Sequence, residues 1–333
     1  MERKLKIHAP RVKKIRWGVA GCGGFAENSF LPTLQQLKRS RLVSVYSHDL
    51  NRAENLAGKF GAEKGYDDFS EFLKSDFDAL YIGSVNADHH WQTIEAAKAG
   101  KHIHCEKPLA LNSKQAEDMV KVCEKNKVFL SVNYTHRFHP LVSKAREFII
   151  DGMIGRIVNI NASFNIDYAP CNNYRFQKEK SGGGALRDLG THMLDMLRYF
   201  GGTITDINGF IDNVIYTSEV DDFASGLVKF KKSGYGYFNV SYNVKEPLNR
   251  IEILGYKGTL VLENIIGSHQ KAGKLIIKIN GQKQFAFRKK SNKLLFALRH
   301  LQKSYLENTP PENSGKDGLE NMKLMEELEK KCR

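Results

Sequence analysis

The run Ile15-Arg16-Trp17-Gly18-Val19-Ala20-Gly21-Cys22-Gly23-Gly24-Phe25-Ala26 decides the fold. Ile15 to Ala20 is short and apolar and reads as a strand. A glycine turn follows, then a helical pattern through Leu31, Leu34 and Leu37. Strand, glycine turn and helix form the setting that a dinucleotide fingerprint requires. Gly21 permits the tight turn, Gly23 lets the backbone approach a pyrophosphate, and Ala26 allows close helix–strand packing. The helix N-terminus then offers N–H groups and the positive end of its dipole to phosphates.

Moving outward, strands and helices alternate. Leu42 to Tyr46 is the second strand, Arg52 to Phe60 a helix, and Ala79 to Ser84 a further strand. The helix from Trp91 stops at Gly100, and Lys101 to Cys105 is the next strand. The helix Ser113 to Asn126 and the strand Val128 to Val132 complete a doubly wound parallel α/β unit over residues 15–134. The second strand ends in Ser47-His48, with Asp49 and Arg52 beyond. A carboxylate at that end would bind ribose hydroxyls and repel a 2′-phosphate. Serine, histidine and arginine there favour NADP over NAD. The alternative is that Asp49 turns back to serve NAD, or that the pocket takes both. The loop Ser84 to His90 lies beyond a strand C-terminus, where ligand crevices form. Its adjacent histidines suit helix capping or cofactor contact better than metal ligation.

From Gly155 the pattern changes to alternating strands: Arg156 to Tyr168, Ile204 to Ile215, Asp222 to Phe230, Gly236 to Asn243, Arg250 to Leu254, Thr259 to Glu263 and Lys274 to Ile279. Residues 135–333 therefore read as an α+β domain with a largely antiparallel open sheet. Helices at Ser291 to Glu307 and Gly318 to Lys331 close it. Residues 1–14 are basic, interrupted by Pro10, and read as an extension.

Composition excludes several classes. Hydrophobic residues make up 41% and charged residues 26%, as in globular proteins, and no run has the length of a membrane span. The N-terminus lacks the apolar stretch of a secretory signal. Five cysteines without metal-ligand spacing indicate reduced thiols and a cytoplasmic location. The net charge of +14, from 51 basic and 37 acidic residues, attracts anions such as nucleotides. Its interspersed charges and the absence of a recognition motif argue against nucleic acid.

Two further segments carry chemistry. Glu106-Lys107-Pro108 ends a strand, and the proline pushes Lys107 towards extended geometry. In the second half, a triple glycine at Gly182 to Gly184 precedes a helix bearing Asp188, His192 and Asp195. Asp188 and His192 are four apart and share a helix face, with Asp195 one turn on. Gly190 inside that helix costs about 1 kcal/mol relative to Ala. With the triple glycine, it signals that something approaches closely.

Together these motifs resemble those of the glucose–fructose oxidoreductase / inositol dehydrogenase / MocA-like family. The match comprises Gly21 to Ala26, Asn86-Ala87-Asp88-His89, Glu106-Lys107-Pro108 and the D-x-G-x-H-x-x-D run from Asp188 to Asp195. It spans nearly all of the chain beyond the first dozen residues. The resemblance implies NADP- or NAD-dependent redox chemistry on a sugar or polyol. It also implies a Rossmann domain and a homodimer or homotetramer formed through the C-terminal sheet, with no nucleic acid or membrane partner. Cofactor contacts are expected from Gly21, Gly23, Gly24, Phe25 and Ala26, from Ser47, His48 and Arg52, from Ser84, Asn86 and His89, and from Glu106 and Lys107. Substrate contacts are expected from Lys107, Arg137, Arg175, Asp188 and His192. Some relatives carry tyrosine where His192 stands and resemble dihydrodiol and pentose dehydrogenases; histidine favours the sugar and inositol side. Tyr174-Arg175 stands where the family often has Trp-Arg, and Val85 replaces a common proline.

The expected catalytic groups are Lys107, His192 and Asp188. His192 suits general base work, because an unperturbed histidine titrates near neutrality. Asp188 would orient its imidazole. Lys107 would stabilise developing alkoxide charge and, neutral beside other cations, could also relay the proton. No metal is expected, because no clustered Cys/His set has suitable spacing. Two alternatives share this fold: a non-catalytic NAD(P)-sensing regulator, and an enzyme that keeps its cofactor tightly bound while transiently oxidising a sugar.

Overall fold

The structure is a computed structural model that describes residues 13–267, 271–279 and 283–332. The basic extension expected over 1–14 lies, up to residue 12, outside the described residues.

In the first half, β1 (Ile15–Ala20) leads through the glycine turn into α1 (Leu31–Leu34). Then come β2 (Ser40–Tyr46), α2 (Leu50–Phe60), β3 (Lys64–Tyr66), α3 (Phe69–Leu73), β4 (Ala79–Ile82), α4 (His89–Lys98), β5 (His102–Cys105), α5 (Ser113–Lys125) and β6 (Leu130–Val132). The strands pair in parallel in the order β3-β2-β1-β4-β5-β6. β1 and β4 flank the point where the order reverses, and ligands bind outside the strand C-termini at such a point. All four residues of β4 are buried, as expected of a parallel strand covered on both faces.

The second half opens with α6 (Pro140–Ile150), β7 (Ile157–Asn165), α7 (Lys178–Ser181) and α8 (Thr191–Gly201). An eight-stranded sheet is completed by β8 (Ile204–Asp212), β9 (Phe223–Phe230), β10 (Tyr235–Ser241), β11 (Arg250–Gly255), β12 (Gly258–Glu263), β13 (Gly273–Ile279) and β14 (Lys283–Lys289). Its order is β14-β13-β12-β11-β7-β10-β9-β8, antiparallel except between β7 and β10. β14 is an addition to the strands read from sequence. Side chains alternate across this sheet. Ile160, Ala162, Phe238, Val240, Ile251 and Ile253 face inward, against Met193, Met196 and Leu197 of α8. Full burial of each such large side chain contributes about 1.5–3 kcal/mol.

The chain closes with α9 (Lys293–Glu307) and α10 (Gly315–Lys331). Both cross back to the first half. Leu294, Leu298, Leu301 and Tyr305 form one stripe of α9 and share a core cluster with Trp17, Phe30 and Tyr81. Val132 N–H donates to the Asn313 carbonyl at 2.8 Å, extending the β6 edge with chain from the far end of the sequence. No helix among the described residues is long and apolar enough to cross a membrane.

Candidate active site

A cleft of about 990 Å³ runs between the two halves. Its walls include Gly23, Gly24, Phe25, Ser84, Glu106 and Lys107 from the first half. Tyr174, Arg175, Asp188 and His192 come from the second. The two motifs distant in sequence therefore meet.

Lys107 stands at the end of β5, before a cis peptide bond to Pro108. Its ammonium donates to the Asp188 carbonyl at 2.9 Å and to the Asp188 carboxylate. The other Asp188 oxygen accepts from Tyr242 Oη at 2.9 Å and lies 3.5 Å from Arg175 Nε. Burial alone would raise the Asp188 pKa, but Lys107 and Arg175 outweigh it and hold the carboxyl well below its usual range. The neighbouring Glu106 differs. Burial raises its pKa although Lys107 is adjacent, and its Oε1 accepts from Tyr81 Oη at 2.9 Å and Asn133 Nδ2 at 2.5 Å.

His192 departs from expectation in its partner. Residues Leu186–Gly190 form a π-turn in which Thr191 N–H reaches back to the Leu186 carbonyl. The extra residue breaks the i,i+4 stacking that a regular α-helix would give Asp188 and His192. Asp188 thus orients Lys107 rather than the imidazole. Among the described residues the His192 ring makes no hydrogen bond. It packs edge-on against His136, with ring centres 4.7 Å apart, and against Tyr134 and Phe164. Burial, reinforced by Lys107, lowers its pKa well below the ordinary histidine value, so the ring is neutral at pH 7.

Around the fingerprint, Gly21 has φ of +99°, and a Cβ there would meet Ser84 N at 2.5 Å. Gly21 thus serves the close approach of the β1 and β4 turns. Gly23 and Gly24 line the cleft, where a Cβ would meet only Gly83 O at 3.8 Å and Asn28 Nδ2 at 3.7 Å. Ala26 is buried beneath the turn as a packing residue. At the end of β2, Ser47 is buried and His48 bridges Tyr46 Oη and Asp88 Oδ2, each at 3.1 Å. The Arg52 guanidinium donates to the Cys22 carbonyl at 2.7 Å. Asp49 caps α2 by accepting from Arg52 N–H at 3.3 Å.

Several residues expected at the site lie behind it. Arg137 is not a cleft residue. It is 5% exposed and pairs with Asp195 at 2.5 and 2.8 Å and with Asp317 at 3.1 Å. Asp195 is consumed by that pair and does not continue the Asp188 stripe. His89 is fully buried between the Pro108 and Ser84 carbonyls, at 3.0 and 3.3 Å, and so fixes the loop that carries Lys107. Asn86 holds the Ser181 carbonyl at 2.9 Å. Ser84 reaches the cleft, and its hydroxyl donates to Gln92 at 2.8 Å. The triple glycine admits another part of the protein. A Cβ on Gly184 would lie 1.9 Å from the Asp221 carbonyl oxygen, and the Asp221 carboxylate accepts from Gly184 and Leu186 N–H, both at 2.8 Å. Gly190 is packed against Leu186 and Val240. Tyr242, which holds Asp188, and Lys293, which lines the cleft, escaped sequence reading; no local motif marks them, since each is placed only through long-range packing.

The family model described as an oxidoreductase family with an NAD-binding Rossmann fold matches residues 15–134, and that of the GFO/IDH/MocA C-terminal domain matches residues 142–261. The chain belongs to the GFO/IDH/MocA oxidoreductase family. Among curated relatives, mouse trans-1,2-dihydrobenzene-1,2-diol dehydrogenase is 29% identical over 256 residues, covering 75% of each chain. Levoglucosan dehydrogenase of Pseudarthrobacter phenanthrenivorans is 29% identical over 239 residues, 63% of this chain and 61% of its own. Aldose-aldose oxidoreductase from Caulobacter crescentus, solved with glycerol, superposes with a TM-score of 0.89 at 23% identity. The match covers 96% of this chain and 98% of that one. Levoglucosan dehydrogenase in complex with NADH and levoglucosan superposes with a TM-score of 0.88 at 21% identity, over 96% and 97%.

This GFO/IDH/MocA chain is thus an NAD(P)-dependent dehydrogenase or reductase. The open glycine turn fits the dinucleotide. Gly23 and Gly24 line the cleft at a helix start, and Arg52, through its bond to the Cys22 carbonyl, stands against the same turn.

Proposed function

We propose that this chain interconverts a CH–OH group and a carbonyl on a sugar, polyol or sugar derivative. The observation that carries the reading is the Lys107 ammonium, fixed by Asp188 in the same cleft as a neutral His192 without a hydrogen bond among the described residues. The bound nicotinamide supplies or accepts the hydride. Lys107 donates a hydrogen bond to the reacting oxygen and stabilises negative charge as it develops there. His192 takes the hydroxyl proton in oxidation and returns it in reduction. Asp188 positions the ammonium, and Arg175 contacts neighbouring hydroxyls. The relatives' named substrates, levoglucosan and dihydrodiols among them, support the class.

NADP is the favoured cofactor in this reading. The Asp49 carboxylate is spent on the α2 cap, while Ser47, His48 and Arg52 remain at the end of β2. The subunits associate through the outer face of the large sheet, where Phe210, Leu227, Tyr235 and Tyr237 stand exposed. The free thiols of all five cysteines support a cytoplasmic setting.

The test is a panel of sugars, inositols and 3-keto sugars assayed with NADP and with NAD by nicotinamide absorbance. Lys107→Ala is expected to lower turnover by orders of magnitude. No turnover across the panel, with a cofactor that binds and stays unreacted, would favour a sensing role and end the catalytic reading.

A further inference from the structure

Lys293 opens α9, lines the cleft and is only partly exposed. Its ammonium donates to the Ile265 carbonyl at 3.0 Å and the Gly267 carbonyl at 2.5 Å, and among the described residues no carboxylate pairs with it. Burial drops its pKa to about 7, with no acidic group to offset the loss. A cation taken out of water without a counter-ion is costly.

Its surroundings are also short of acceptors. His136 lies on the other side of Gly267, is 3% exposed and lines the same cleft. Its Nε2 accepts Gly267 N–H at 3.3 Å, which puts the proton of the neutral ring on Nδ1, and among the described residues Nδ1 has no partner. The Ser291 hydroxyl, two residues before Lys293, is likewise buried and without a partner among the described residues. Lys271 and Lys290 line the cleft without an ion pair among the described residues. Of the carboxylates that line the cleft, Asp188 is engaged with Lys107 and Arg175, Glu106 with Tyr81 and Asn133, and Asp167 accepts from Tyr216 Oη at 3.4 Å.

We infer that the substrate carries an anionic group, a carboxylate or a phosphate, that docks against Lys293 beside His136 and completes the ion pair the protein leaves open. The inference rests on the sugar-oxidoreductase reading above and narrows it to acidic or phosphorylated sugars. The anion belongs to the substrate rather than to the cofactor, because Lys293 is tied to the β12–β13 connection and close enough to His192 to depress its pKa.

The experiment compares matched compounds, such as glucose, glucuronate and glucose 6-phosphate, by calorimetric binding to the NADP-loaded enzyme and by turnover. At least one charged member should bind about tenfold tighter than the neutral one or better, as a charged hydrogen bond supplies. Which member does so separates carboxylate from phosphate. Lys293→Gln should reduce that charged-to-neutral ratio by about tenfold. Lys290→Ala, at an exposed side chain that does not threaten folding, should reduce it by a smaller factor. Equal binding of all three compounds would overturn the inference. So would a Lys293→Gln variant that weakens NADPH binding and affects every sugar alike, since the ammonium would then serve the cofactor. Anion-selective binding without turnover on any substrate would leave this inference standing and count against the dehydrogenase reading alone.

Discussion

The Lys107 ammonium and the Asp188 carboxylate are bonded across the two halves of the chain, 81 residues apart in sequence. This bond sets the height and direction of an ammonium that both halves enclose. Removing it by Lys107→Ala should lower kcat by about 10²–10³-fold, the usual loss for one electrostatic donor. NADPH binding, followed by fluorescence titration, should persist. Retention of full activity would exclude Lys107 from the chemistry.

His192 makes a pH prediction. Burial and Lys107 depress its folded pKa below 6.5, so the base form is present at neutral pH and is lost only when pH falls through that lowered value. The acid limb of the kcat profile for alcohol oxidation should therefore lie below pH 6.5. His192→Ala should lower kcat by about 10²–10⁴-fold and remove that limb. A limb that persists unchanged in the variant belongs to another group.

Cofactor choice is tested at the end of β2. Ser47→Asp places a carboxylate where Asp49 does not reach, because Asp49 caps α2. The ratio of kcat/KM for NADP over NAD should fall by about tenfold or more, the size of one repulsive contact at a charged group. Parallel assays with both cofactors read it directly, and an unchanged ratio would place the 2′ position elsewhere.

Arg137 should act on stability. It is the buried centre of a cluster with Asp195 and Asp317. Arg137→Met leaves both carboxylates without their main partner, and breaking such a buried pair costs about 3–5 kcal/mol. Urea unfolding should show a lower midpoint for the variant. A midpoint equal to wild type, combined with a raised KM, would return Arg137 to the substrate.

Association through the large sheet predicts that Leu227→Arg with Tyr237→Glu shifts the particle towards a monomer in light scattering. These residues sit opposite each other on β9 and β10 and are both exposed. Unaltered mass would exclude that face.

Both sheets were legible in the chain because their periods are clean, and the glycine turn and Lys107 announce themselves through local spacing. What escaped depends on geometry that no short window contains. The Asp188–His192 pairing fails because a π-turn slips the helix register between them. Arg137 looked like a substrate contact because a polar bridge of sequence gives no hint that Asp195 and Asp317 will surround it. The triple glycine did signal close approach, but the visitor is Asp221 from the loop before β9. Lys293 stands in an ordinary helix start, and its sequence neighbours do not show that among the described residues it has no counter-ion.

The return of α9 and α10 over the first half has a consequence for how this enzyme can be made. Trp17, Phe30 and Tyr81 are covered by Leu298, Leu301 and Tyr305, which leave the ribosome more than two hundred residues later. Until then the nascent nucleotide-binding sheet presents a greasy flank, the kind of surface that recruits chaperones or sticks to its neighbours. A fragment cut after residue 134 should be insoluble for the same reason, and the final forty residues are as much a part of the nucleotide-binding lobe as the strand that begins it.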